Sequence, residues 1–404
     1  MERKKSSTIV VCIGIVLAIM LLMPTLGPAQ PKTGKAKTLK IGYLLCLSGW
    51  FSMYDSVEAR YLKAFAQMIN EWGGLTIQGE KYNIELVGED GKSSLDGNTA
   101  AATKLVFDHK VKFVIGPSAF FGPGSSPVFE PNKVLHVSCY ITNQPGELDA
   151  STPYGFLGYN STIGTTIVAI KAMKKEYPGV KKVSIVSPDD GAIPYLIPKV
   201  KNLLKKNGIT TVGDVVAFPN QMEDVSPIAA KVNAIKDVDA VFYVNGSTVD
   251  IANIAKALRA LGNNKPIVGN GLYRGEDFIS VCGEEAADNI ITVGMTAYAK
   301  NNPPVFDKLF EKAGKQYPIQ YDTPNSLWVL AQVIEAANSI DPAVVKAKWE
   351  SMDKVDTLFG PGIICGDEMY APLKHHAVSH PQQYTKLVKG KSVFGGWIDV
   401  GPIP

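Results

Sequence analysis

The chain predicts an α/β fold made of two doubly wound parallel-sheet lobes. Three observations carry that expectation. From residue 38 onward, short runs rich in Val and Ile alternate with amphipathic stretches of helical length, the pattern of parallel strands covered on both faces by helices. The same rhythm restarts after Tyr159-Asn160-Ser161, so two such sheets are expected, and right-handed crossovers make each of them doubly wound. Beyond residue 290 the pattern turns to helices and short strands broken by Asn301-Asn302-Pro303-Pro304 and Gly360-Pro361-Gly362. Such short, stiff breaks suit a chain that passes between lobes several times.

Taken in order, residues 38–46 (TLKIGYLLC) read as a buried strand and 54–72 as an amphipathic helix halted by Gly73-Gly74. Residues 82–89 form a second strand and 96–109 a second helix. Residues 111–116 (VKFVIG) form a third strand, 125–131 a short helix and 134–139 a fourth strand. In the second half, helix 162–177 precedes strand 182–187. Helix 194–206 then closes on Asn207-Gly208, a good C-terminal stop. Strand 209–217, helix 227–236, strand 240–245, helix 250–261 and strand 266–270 follow. The tail reads as strand 290–295, helices 304–317, 325–339 and 342–352, and short strands at 357–360 and 362–365.

The amino terminus is a separate matter. Arg3, Lys4 and Lys5 precede an almost unbroken apolar run from 8 to 23, and Gly27-Pro28-Ala29 places small residues at a cleavage site. Residues 1–29 therefore read as a secretory signal peptide and the product as periplasmic, starting at Gln30. Export removes the protein from the pools of ATP and NAD, which weakens most cytoplasmic enzyme readings. Cys12 lies inside the apolar run, poorly placed for lipidation. Cleavage after residue 29 of 404 leaves about 375 residues, enough for two domains with full cores.

Composition narrows the function. Hydrophobic residues make up 46% and charged residues 20%, as in ordinary globular proteins. The formal net charge is +3, of which Arg3, Lys4 and Lys5 less Glu2 supply two units. A near-neutral remainder attracts neither nucleic acid nor an anionic membrane. Cys46, Cys139, Cys282 and Cys365 remain after cleavage. They form no CxxC pair and no zinc spacing, and buried free thiols are the favoured reading, with disulfides open.

Enzyme motifs are poor. There is no G-x-S-x-G elbow and no P-loop. Gly269-Asn270-Gly271 opens like a dinucleotide loop, but Arg274 stands where the third glycine belongs. His375, His376 and His380 resemble a metal cluster, yet their spacing matches neither HExxH nor a zinc finger, and a solvated turn is expected. No cofactor and no metal are predicted.

In doubly wound sheets, ligands bind outside the carboxyl ends of the strands. That rule selects the segments 48–54, 117–124, 140–144, 188–195, 246–248 and 271–274. Eight of the chain's 36 aromatic residues fall there: Trp50, Phe51, Tyr54, Phe120, Phe121, Tyr140, Tyr195 and Tyr273. An aromatic-lined small-molecule cleft is the functional reading. Asp189-Asp190 is an acidic pair in the same set of loops.

The segments LKIGYLLCLSGWFSMYD (39–55), KAFAQMINEWGGL (63–75), KVKFVIGP (110–117), VLHVSCYIT (134–142) and DAVFYVNG (239–246) together resemble the type I periplasmic solute-binding proteins of the leucine/isoleucine/valine family, over residues 38 to 395. The resemblance implies two lobes joined by a three-segment hinge, at 158–161, 293–296 and 359–362. It places 38–157 plus 296–358 in the N-terminal lobe and 161–293 plus 362–404 in the C-terminal lobe. It implies a monomer that traps a small solute and docks on the permease subunits of an ABC transporter. A ligand sensor for a chemotaxis or kinase receptor is the alternative, and a secreted metal-dependent enzyme a weaker one.

Residue by residue, Thr142 matches the family threonine that holds the ligand carboxylate, and Tyr54 the tyrosine after strand one. The family's carboxylate-gripping serine falls on Phe120, its second-lobe tyrosine on Gly246, its ammonium-binding glutamate on Gly271 and a further tyrosine on Ala192. A buried ammonium without a partner costs roughly 3–5 kcal/mol, two to three decades of affinity, unless Asp189, Asp190, Glu276 or Asp277 substitutes. The expected ligand is therefore an organic acid with an aromatic or broad apolar body, gripped at its acid end by Arg274 and Thr142. Ser48, Trp50, Tyr54, Ala119, Phe120, Tyr140 and Thr142 are the expected contacts from the first lobe, and Asn245, Tyr273 and Arg274 from the second. In the family's sheet order Cys46 and Cys139 stand two strands apart, too far for a bridge, which leaves Cys282 and Cys365 as the one plausible pair.

Overall fold

The strand with the strongest sequence signal, β1 (Lys37–Leu45), lies at the heart of the first sheet, its last five residues buried on both faces. The structure, a computed structural model, describes residues 36–404 except 190, 192, 221, 273, 294–302 and 316–320. Residues 36–404 form one compact unit.

The first sheet follows from alternation of apolar strands and helices. β1 is flanked by β3 (Glu80–Asp90) and β4 (Phe113–Ile115); beyond β4 lie β5 (Leu135–Ser138) and β6 (Gly155–Leu157), all parallel. β2 (Leu75–Ile77) folds back antiparallel on β3. α1 (Ser52–Glu71) buries Leu62, Phe65 and Ile69 and ends at Gly73 and Gly74, both at positive φ. α2 (Leu95–Thr103) runs on into a wider turn over Lys104–Asp108, where one unbroken helix was expected. α3 (Gly122–Phe129) is preceded by a tight turn at Ala119–Phe121.

The second sheet repeats the design. β7 (Lys182–Pro188), β10 (Ala240–Tyr243), β11 (Ile267–Leu272) and β12 (Ile290–Val293) are parallel neighbours. α4 (Thr162–Glu176) leads into β7, and α5 (Ile193–Lys206), α6 (Ser226–Ala234), α7 (Thr248–Ala260) and α8 (Gly275–Cys282) connect the strands that follow. The strand expected over 209–217 is two pieces, β8 (Thr210–Thr211) and β9 (Val216–Phe218), both paired with β7. Gly213, at φ +74, separates them.

The tail departs from expectation. α9 (Val305–Lys312), α10 (Asp322–Ala337) and α11 (Pro342–Glu350) pack with the first sheet, whose core takes in Leu309, Leu330 and Trp349. β13 (Lys354–Thr357), β14 (Gly360–Cys365) and β15 (Ala377–Ser379) then extend that same sheet on the β6 side. The limit of the first lobe set at residue 358 thus falls inside its sheet. The chain enters the second sheet only after Ser379, as β16 (Gln382–Val388) and β17 (Lys391–Ile398) add antiparallel to β12. The crossing expected at 359–362 therefore lies at 380–381. Pro361 and the glycines beside it misled because they shape a hairpin, β13 against β14. Residues 158–161 carry the chain from β6 of the first sheet to α4 beside the second; most of the crossing expected at 293–296 lies outside the described residues.

The four cysteines among the described residues, Cys46, Cys139, Cys282 and Cys365, are free and buried. Cys282 belongs to a core on one face of the second sheet and Cys365 to the core on its other face, so the Cys282–Cys365 pair is not made. Among the described residues no helix is long and apolar enough to cross a membrane.

Candidate functional site

The loop after β1 is braced from below. The backbone N–H groups of Leu47 and Ser48 donate to Asp90 Oδ1 (2.9 and 3.2 Å) and Ser48 Oγ donates to Asp90 Oδ2 (2.6 Å). Partial burial works against the Asp90 charge, but donors from Ser48, Lys92 and Leu47 hold its carboxyl below the usual range. Phe51 N donates to Ser93 Oγ (3.0 Å), which donates to Ser48 O (2.7 Å). Gly49 sits at φ +81 with Ser93 so close that a Cβ would lie 2.7 Å from its Oγ. This bracing aims the next residues outward: Trp50 is exposed, Phe51 and Tyr54 half-buried. Ser48, expected at the ligand, acts in the structure as a strut of its loop.

The loop after β4 meets it. Gly116, at φ +110, passes so near Leu44 O that a Cβ would stand 2.2 Å away; only glycine fits there. The turn Ala119–Phe121 then delivers Phe120 and Phe121 beside Trp50 and Phe51. Ring centroids are 6.1 Å apart for Trp50–Phe120, 6.2 Å for Phe51–Phe120, 5.2 Å for Trp50–Phe51 and 5.0 Å for Phe51–Tyr54. Five aromatic rings from the two loops 48–54 and 117–124 thus form one cluster at the carboxyl end of the first sheet. Beneath it Asp55 is fully buried. Burial pushes its carboxyl up to about 8, although Cys46 N (2.6 Å) and Ser118 donate to it.

The loop after β5 reaches into the second lobe. Tyr140 packs against the second-lobe core, and its hydroxyl donates to Asn245 Oδ1 (2.7 Å) after β10. Two expected ligand residues, one from each lobe, thus meet directly. Asn245 adopts φ +62 and its N–H donates to Asn270 Oδ1 (2.8 Å), while Asn270 Nδ2 donates to Thr166 Oγ1 (2.8 Å). Thr162 Oγ1 donates to Ile141 O (2.6 Å), a second tie between this loop and α4.

Thr142 has a partner within the chain. It is fully buried; its N–H donates to Glu147 Oε2 (2.7 Å) and its hydroxyl to Glu147 Oε1 (2.8 Å). Burial drives the Glu147 carboxyl up to about 8 despite these donors and that of Gln144. Arg274 likewise forks onto Asp277, with Nε and Nη2 donating at 2.7 and 2.6 Å. Asp189 is exposed. Tyr273 and Asp190 lie outside the described residues.

One residue facing this region was not foreseen. Asp250, at the start of α7, is buried; it accepts from Met222 N (3.2 Å) and Ser247 Oγ (2.7 Å). Burial raises the Tyr54 phenol, and the negative charge of Asp250 across the lobes adds to that shift. The Ser247-x-x-Asp250 spacing is a helix-capping pattern, the one sequence signal for it.

The histidines are not a solvated turn. His376 is buried, stacked on Phe156 at 4.1 Å, with Gly155 O 2.6 Å from Nδ1 and Glu350 Oε1 3.0 Å from Nε2. His380 is buried at the 380–381 crossing. His376 and His380 flank β15, which places their ring nitrogens in the fold, while His375 lies on a half-buried bend with its Nδ1 2.9 Å from Glu350 O. Among the described residues no three His, Cys, Asp or Glu side chains are grouped to hold a metal.

A family model described as "Periplasmic binding protein" matches residues 38–389. Solved structures agree in fold. The LivJ branched-chain amino acid binding protein of Streptococcus pneumoniae, in complex with isoleucine, is 22% identical, with a TM-score of 0.69 over 88% of this chain and 98% of that one. The leucine-, isoleucine-, valine-, threonine- and alanine-binding protein of Brucella ovis, in its closed conformation, is 16% identical, with a TM-score of 0.74 over 90% and 96%. A solute-binding protein of Rhodopseudomonas palustris, in complex with 4-hydroxybenzoate, is 18% identical, with a TM-score of 0.67 over 90% and 96%. That family model spans most of the chain, and the two parallel-centred sheets with their two described crossings accord with it: the chain belongs to the periplasmic binding protein family.

Proposed function

We propose that this protein is the extracytoplasmic solute-binding component of an ABC importer, exported by the signal sequence read at residues 1–29 and acting as a monomer. It closes around a small organic acid with an aromatic or broad apolar body and hands it to a membrane permease. The observation that carries the ligand reading is the ring cluster of Trp50, Phe51, Tyr54, Phe120 and Phe121, packed largely edge to face, which offers an aromatic, apolar lining for a ligand body. The complex of a family-fold protein with 4-hydroxybenzoate supports the same class. Tyr140 and Asn245 frame the other side of the site.

The acid end falls to Arg274. Its fork onto Asp277 is partly exposed, at 25% and 41%, so a ligand carboxylate arriving from solvent can share or replace Asp277 on the guanidinium. Thr142 stays with buried Glu147 and shapes the loop.

A thermal-shift panel of aromatic acids, aliphatic acids, amides and branched-chain amino acids tests this. A ligand at 100 times its Kd adds about 2.7 kcal/mol. Aromatic acids are expected to give the largest shift, and Arg274→Gln to weaken it about tenfold in Kd. Leucine, isoleucine or valine at the head of the panel overturns the ligand class.

A further inference from the structure

The two described chain crossings are not independent strands of a loose hinge. Asn160, fully buried on the first, faces His380, 2% exposed, on the other. His380 N donates to Asn160 Oδ1 (3.0 Å) and Asn160 Nδ2 donates back to His380 O (3.0 Å). Asn160 N points at His380 Nε2 (3.3 Å), and His380 Nδ1 faces Pro381 O (2.8 Å). Because an amide donates to Nε2 and a carbonyl accepts from Nδ1, the ring is neutral with its proton on Nδ1. Gln382 extends the contact: its Oε1 accepts from Asn160 Nδ2 (3.0 Å) and its Nε2 donates to Tyr159 Oη (3.2 Å). The His380 ring is stacked on Phe359 at 4.3 Å and edge-on to Tyr159 at 4.6 Å. The first crossing is also fastened to the first lobe. Asn325 Nδ2 donates to Gly158 O (2.6 Å), and a Cβ on Gly158 would stand 2.7 Å from the Ser326 Cα.

We propose that Asn160 and His380 are positioning residues that lock these two crossings into a single joint, which sets the spacing of the lobes before any solute arrives. This rests on the reading that the lobes close on a ligand. A joint built from reciprocal amide bonds resists independent twisting of its two segments, because each buried donor or acceptor left without its partner bears an uncompensated loss of hydration. Rotation of the lobes then proceeds about the joint as a unit.

The test measures spacing, not only stability. Spin labels on Met53→Cys and Val249→Cys, exposed positions on opposite lobes, report the inter-lobe distance distribution by pulsed electron resonance, in the absence of solute and with each acid of the panel. Asn160→Ala is expected to broaden the solute-free distribution and shift its centre by several ångströms. Tyr159→Phe, a milder change that keeps the ring, is expected to shift it partway. His380→Gln, whose amide oxygen replaces Nε2 as acceptor, is expected to restore the wild-type distribution. Variants that melt earlier but keep the wild-type distribution overturn the joint. A wild-type spacing that no solute alters sinks instead the closure reading; a spacing that solutes do alter, with Asn160→Ala following it unchanged, sinks the joint alone.

Discussion

Single residues carry the pH behaviour of this protein. Asp55 and Glu147 are fully buried and their carboxyls are pushed up to about 8 by that burial. Their folded pKa lies above the unfolded one, so the stability they lend is whole below the ordinary carboxylate range and is lost as pH rises through 8. His380 works the other way. Burial lowers it to about 3, with only the Pro381 carbonyl favouring its charge, so its neutral form is held without cost above pH 6.5 and stability is lost as pH falls from there toward 3. Between pH 6.5 and 8.5 the Asp55 and Glu147 carboxyls act in the same direction as the buried Glu58 and Asp322, which burial also raises. The melting temperature is expected to fall over that interval, by about 1.4 kcal/mol of stability per pH unit for each retained proton, and Asp55→Asn to flatten the slope measured by calorimetry. Trp50 offers a contrast. It is 46% exposed yet touches Phe51 and Phe120, so Trp50→Ala should leave the melting temperature within about 1 kcal/mol of wild type while weakening aromatic-acid binding roughly tenfold by titration calorimetry.

At the scale of elements, the strands that were legible are unbroken apolar runs rich in β-branched and aromatic residues, such as Phe113–Ile115 and Ala240–Tyr243. Burial on both faces leaves no alternative to such residues. The strands that were missed are short or lie outside the parallel core. β6 has three residues, β15 reads Ala-Val-Ser, and β17 contains Gly395-Gly396. Their place is decided by pairing with distant chain, which local periodicity does not record. The same division runs through the site. The aromatic loops were legible because strand ends locate them. The engagement of Ser48 with Asp90, 42 residues away, was not, because a hydroxyl gives no sign of its partner. Arg274 and Asp277 were each noted, but their mutual fork was not. Gly116→Ala tests how far one element depends on a close approach. With φ +110 and Leu44 O at 2.2 Å, the substitution should cost about 3 kcal/mol or more, read from urea unfolding, and should displace Phe120.

The whole molecule is closed by its last residues. Gly366 N donates to Ile403 O (3.1 Å) and Met369 N to Pro404 O (2.9 Å), while Val400 and Ile403 are buried. This end pins the segment leading from β14 back to the 380–381 crossing. Removing residues 399–404 is expected to cost about 3–5 kcal/mol, from two buried aliphatic side chains and the lost backbone bonds, and chemical denaturation measures it directly. The order of assembly is a wider consequence. β13 to β15 complete the first sheet and β16 with β17 complete the second, so both halves wait for residues 354–398. A nascent polypeptide halted before that point has β6 and β12 as bare, sticky margins and no finished half. On the proposed reading that the protein is exported, a chain kept unsealed in this way enters a narrow translocation channel without a prefolded bulk to jam it.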